Sequence, residues 1–99
     1  MRRIVIDRPG GYERLRLCEE ADAAPAADQI AIEVEAIGVN YADGIIRMGL
    51  YESAKKLHGY PITPGFEVAG RISALGAQVT GFELGQRVIG LTLFGGYAS

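Results

Sequence analysis

Residues 1–99 predict a mostly β domain: a small, partly open barrel or sandwich of short, mainly antiparallel strands with one short helix. Three observations carry that expectation. Apolar and polar residues alternate over several short runs, the two-residue period of strands with one buried face. The 14 glycines fall between these runs as turn punctuation rather than in one block. Helical signals cluster in one place only, between Asn40 and Gly49.

Taken in order, Arg3-Ile4-Val5-Ile6 reads as a first strand closed by Pro9-Gly10-Gly11. Residues 12–17 alternate, which places Leu15 and Leu17 inside and the arginines in water. Residues 21–28 hold no large apolar group and contain Pro25, so they form a surface loop. From Gln29 the strongest strand begins, with Ile30, Ile32, Val34 and Ala36 on one face and Ile37-Gly38-Val39 continuing it. Asn40 then caps a helix, Asp43 lies in its first turn beside the positive end of the helix dipole, and Gly49 is its left-handed stop. The stretch from Leu50 to Pro64 fits neither period and reads as a long loop, with Leu57, Tyr60, Pro61, Ile62 and Pro64 as an apolar lip over a cleft. Phe66–Leu75 is a strand with Val68, Gly70, Ile72 and Ala74 on one side. Residues 76–85 turn, residues 86–93 form another strand, and Gly95-Gly96-Tyr97-Ala98-Ser99 begins a further segment, for roughly six strands in all.

Composition narrows the function. Val, Ile, Leu and Phe make up 27 of 99 residues, enough for a packed core of one domain, with a radius of gyration near ~13 Å if compact. Ten basic against twelve acidic residues leave a net charge of −2, which provides no cationic face for nucleic acid. Cys18 has no partner for an internal disulfide, and one thiol with one imidazole cannot close a zinc site. No apolar run is long enough to span a membrane, and Met1-Arg2-Arg3 leads into no signal-peptide core. A soluble domain of a reducing compartment is expected, too small for a complete two-substrate cleft.

Five motifs in order carry a family resemblance. Gly38-Val39-Asn40-Tyr41-Ala42-Asp43 fits Gly-(Val/Leu)-Asn-x-x-Asp, and Arg47-Met48-Gly49-Leu50-Tyr51 fits Arg-x-Gly-x-Tyr. Pro64-Gly65-Phe66-Glu67-Val68-Ala69-Gly70 fits Pro-Gly-x-Glu-x-Ala-Gly. Gly76, Val79, Phe82, Gly85 and Arg87-Val88 fit the run that follows, with Gln86 standing where Asp is usual, and Gly95-Gly96-Tyr97-Ala98 completes it. The chain thus resembles the N-terminal GroES-like catalytic domain of the medium-chain dehydrogenase/reductase (zinc-type alcohol dehydrogenase) superfamily, closest to its zinc-independent quinone oxidoreductase and VAT-1-like branch.

That resemblance implies a partly open GroES-like barrel forming one wall of a cleft. NADPH would be held mainly by a Rossmann domain absent from residues 1–99, which contain no Gly-x-Gly-x-x-Gly of their own. It implies NADPH-dependent hydride transfer to a small quinone or enone carbonyl substrate in a cytoplasmic protein, homodimeric at full length, and no turnover by this truncated domain alone. Asn40 and Tyr41 become the candidate catalytic and cofactor-binding residues, with Tyr51, Ile45 and Phe66 lining the substrate pocket. Ile45 replaces a Tyr of bacterial relatives and makes that pocket more apolar. No metal is expected: Asn40 and Phe66 occupy positions where zinc-dependent relatives carry a Cys and a His. Glu67 and Asp43 match supporting acids and are expected to pair with Arg47 or Arg71. His58 is expected on the surface, and Cys18 as a strand-edge side chain. Tyr41 has the alternative of packing between helix and barrel. The whole chain has two: a GroES-like binding or scaffold module without catalysis, and a zinc-dependent alcohol dehydrogenase.

Overall fold

A computed structural model describes all of residues 1–99. Five strands dominate: β1 (Arg2–Ile6), β2 (Leu15–Glu19), β3 (Ile30–Ile37), β4 (Glu67–Leu75) and β5 (Arg87–Leu91). Between β3 and β4 lie helices α1 (Tyr41–Met48) and α2 (Glu52–Leu57), and a 3-10 turn covers Tyr12–Arg14. β1 and β2 form an antiparallel ribbon, and β3-β4-β5 form an antiparallel sheet in that order. The sheets do not close. The molecule measures 40 × 24 × 20 Å with a radius of gyration of 14.2 Å, longer than a sphere of this chain length. The expected partly open, mainly antiparallel architecture is present.

The alternation on β4 places Val68, Gly70 and Ile72 in the interior. Gly70 is required there: a Cβ would strike the Glu33 carbonyl of β3, next to the register shift between Val34 and Ala36. β3 ends at Ile37 rather than Val39, although the Gly38 N–H still reaches the Glu67 carbonyl at 3.1 Å. The segment begun at Gly95 closes on β1 through an antiparallel Arg3–Ala98 bridge.

The core is thin. Ile6, Ile46, Ala54 and Ile62 form its buried centre, with Tyr51, Tyr60, Phe66 and Phe94 packed around them. Ile6 and Ile62 exchange backbone hydrogen bonds of 2.8 and 2.9 Å. This corrects the expected lip: Ile62 and Pro64 are fully buried, and the Tyr60 hydroxyl donates to the Ile46 carbonyl. Only Leu57 (69% exposed) and Pro61 are exposed, because Ile62 is drawn into the core beside Ile6 and Tyr60 packs against it.

Two further expectations fail for physical reasons. Residues 52–57 form a second helix, with Glu52 in the first turn and Lys55 and Lys56 in the last, matching the helix dipole. Six residues with one buried side chain, Ala54, are too few to display a helical period. Leu15 and Leu17 are 42% and 60% exposed rather than inside, because the β1–β2 ribbon has no second layer over that face. Residues 12–14 form the 3-10 turn, and Arg14 is half-buried rather than solvated.

Candidate functional site

The start of α1 organises the candidate site. Asn40 is its N-cap and Asp43 its third residue. Asp43 Oδ2 accepts the Asn40 backbone N–H at 2.9 Å, and the Asp43 N–H donates to the Asn40 carbonyl at 3.0 Å. Gly49, with φ of 80°, ends the helix as expected. These local bonds leave the Asn40 side chain free to turn elsewhere, and its Nδ2 donates to Glu67 Oε1 at 3.5 Å. Gly38 makes room for that contact, since a Cβ there would collide with the Glu67 side chain.

Tyr41 follows Asn40 and is 88% exposed, as is Val39 at 80%. Its ring therefore lies on open surface and not between helix and barrel. Tyr51 and Phe66 meet edge-on with ring centroids 6.0 Å apart, and Phe94 lies 6.2 Å beyond Phe66. Ile45 is half-buried within α1. The structure thus forms an aromatic cluster from Tyr51 and Phe66, and an exposed polar-aromatic corner from Asn40 and Tyr41. Glu67, bonded to Asn40 and adjacent to Phe66, joins them.

The acids do not pair with arginines as expected. Arg47 donates to the Gly10 carbonyl at 2.6 Å and stacks 4.4 Å over the Tyr12 ring, while Arg71 pairs with Glu35 at 3.2 Å. Asp43 is instead 6% exposed and accepts the Tyr97 hydroxyl at 2.5 Å. Burial, and then the Asp43 bond, push the Tyr97 phenol well above its ordinary range, so it remains a donor. Burial alone raises Tyr60. Gln86 accepts the Glu83 N–H at 3.0 Å through its side-chain Oε1 and so closes that turn. His58 is exposed and rests edge-on against Phe94.

Two residues of this neighbourhood were not assigned roles from sequence. Phe94 extends the aromatic cluster, and nothing in its surroundings in the chain marks it. Tyr97 was visible in Gly-Gly-Tyr-Ala, but its partner lies 54 residues away. A concavity of about 430 Å³ is lined by Arg3, Arg16, Cys18, His58, Thr63 and Phe94 among others, and by none of the five candidate residues. Asn40 and Tyr41 face open surface. No three His, Cys, Asp or Glu side chains gather in a way that would hold a metal ion. No helix is long and apolar enough to cross a membrane.

Known proteins resemble this chain in sequence and fold. Synaptic vesicle membrane protein VAT-1 homolog-like of Mus musculus is 36% identical over 98 residues, covering 99% of this chain and 23% of the mouse protein. Quinone oxidoreductase of Lama guanicoe is 43% identical over 102 residues, covering 99% of this chain and 29% of its own length. Among solved structures, Escherichia coli quinone oxidoreductase complexed with NADPH superposes with a TM-score of 0.89 at 36% identity, over 100% of this chain and 29% of that one. The chain therefore spans less than a third of these relatives. Residues 26–98 match the alcohol dehydrogenase GroES-like domain. With that match the chain belongs to the alcohol dehydrogenase GroES-like domain family, and the relatives it resembles include quinone oxidoreductases and VAT-1 homologs.

Proposed function

We propose that the chain is the substrate-side domain of an NADPH-dependent, zinc-independent reductase of quinones or α,β-unsaturated carbonyls. The observation that carries this reading is the Asn40 amide, held at the open start of α1 beside an exposed Tyr41 ring. An amide nitrogen has two N–H donors. Glu67 engages one and so orients the other, which is available to an oxygen that gains negative charge as a quinone or enone is reduced. The Tyr41 ring offers a flat face on which a planar ring can stack. Tyr51, Phe66 and Ile45 supply the apolar wall of the acceptor pocket.

On this reading the exposed Val39-Asn40-Tyr41 corner would meet the nicotinamide end of the cofactor alone, because residues 1–99 contain no glycine-rich phosphate cradle. The remainder of the dinucleotide is assigned to a Rossmann domain of the longer protein. NADPH, when bound, supplies the hydride. The protein's part is to orient the two rings, exclude water between them and hydrogen-bond the developing oxyanion, while solvent returns the proton. The donor set does not suit zinc. An amide and a phenyl ring stand at Asn40 and Phe66, and the nearby carboxylates are bonded to Asn40 and Tyr97.

The test is NADPH consumption by the full-length protein with a quinone or enone acceptor, with and without a chelator. Turnover that survives chelation is expected, and none is expected from residues 1–99 alone. Turnover that needs added Zn²⁺, or oxidation of simple alcohols only, overturns the reading.

A further inference from the structure

We infer that Tyr97 is a positioning residue for the Asn40 amide. Its hydroxyl, acting through Asp43, holds the first turn of α1 in the orientation that presents that amide. The inference deepens the function proposed above, and only its kinetic readout rests on that reading.

The Tyr97 backbone is anchored on two sides. Its N–H donates to the Pro64 carbonyl at 2.9 Å, and its carbonyl accepts the Ile4 N–H at 3.0 Å. The preceding residue, Gly96, donates to Gly65 at 3.0 Å. The ring thus projects from a junction between β1 and the entry to β4 and does not move with α1. Its hydroxyl donates to Asp43 Oδ2 at 2.5 Å, and that same oxygen accepts the Asn40 backbone N–H at 2.9 Å. One carboxylate oxygen therefore fixes the helix cap to the junction. The other oxygen, Oδ1, is buried without a hydrogen-bond partner, so no third contact shares the task. Bonds to a carboxylate are shorter and stronger than neutral ones, and in a buried setting their loss is not made good by water. With Asp43 free to swing, the cap residue that it holds moves too, and the 3.5 Å contact from Asn40 to Glu67 is already at the edge of hydrogen-bond range.

Tyr60 provides the control, because its hydroxyl also bonds α1, but at the Ile46 carbonyl and away from the cap. Tyr97→Phe and Tyr60→Phe are made in the full-length protein and compared by melting temperature, by the NMR signals of the Asn40 side-chain amide, and by kcat and KM for NADPH-driven quinone reduction. Tyr97→Phe is expected to shift the Asn40 signals and lower kcat on the order of tenfold, with KM little changed. Tyr60→Phe is expected to lower the melting temperature similarly and leave the Asn40 signals in place. Asp43→Asn, which keeps an acceptor oxygen, should recover part of what Asp43→Ala loses. If the two tyrosine variants differ in neither the Asn40 signals nor kcat, the inference fails. A wild-type protein with no quinone or enone turnover would sink the functional reading alone, because the Asn40 signals still decide the positioning.

Discussion

Glycine serves two different purposes at two turns of this molecule. At the junction of Gly65 with Gly96, the chain needs both an unusual backbone angle and empty space. Gly65 has φ of 111°, and a Cβ there would lie 2.7 Å from the Tyr97 nitrogen and 2.8 Å from the Gly96 Cα. In the turn between β4 and β5, Gly81 has φ of 84°, but no atom lies within 4 Å of its would-be Cβ. The first glycine lets two segments meet, whereas the second only lets one segment bend. The Pro64-Gly65 and Gly95-Gly96-Tyr97 motifs, separate in the sequence, are two halves of one contact.

Three substitutions sharpen the comparison. Gly65→Ala has the largest expected effect, because backbone strain and backbone overlap add: a loss of about 3 kcal/mol or more, read by chemical denaturation. Gly81→Ala carries conformational strain alone, and about 1 kcal/mol is expected in the same measurement. A loss at Gly81 equal to that at Gly65 would show that close approach contributes nothing. Gly38→Ala is the smallest in stability. Its Cβ would displace the Glu67 side chain rather than backbone, and a rotamer cost of about 1 kcal/mol is offset by the reduced freedom of the unfolded chain. Its stability should stay within roughly 0.5 kcal/mol of wild type. The Asn40 side-chain amide signals should nevertheless shift, since its acceptor has moved. Unchanged signals would show that Gly38 has no part in orienting Asn40.

The elements legible in the sequence were those whose signals are local. Asn40, Asp43 and Gly49 mark both ends of α1 within ten residues, and the alternation along β4 states which face is buried. Helix α2 was not legible because it buries Ala54 alone and is shorter than two helical turns. Leu15 and Leu17 alternate as buried residues do, but alternation specifies a face and not whether anything covers it. Ile62 and Pro64 read as loop residues because irregular backbone has no period, although their apolar bulk is what the small core required.

The candidate site divides the same way. Residue types identified Asn40 as a helix cap, while the family resemblance put Tyr51 and Phe66 in one pocket, and their rings do meet. Residue types also left one expectation unmet. They paired Asp43 and Glu67 with arginines, because opposite charge is the only partner rule that a sequence offers. The folded chain chose Tyr97 and Asn40 instead.

The sequence by itself determined where the helix cap, the main strands and the tight turns lie, since these depend on a few neighbouring residues and their backbone preferences. Only the tertiary structure decided which groups Asp43 and Glu67 serve, because those partners lie 54 and 27 residues away. Their meeting depends on how strands close and how nearly two glycine backbones can touch, and no local propensity encodes that.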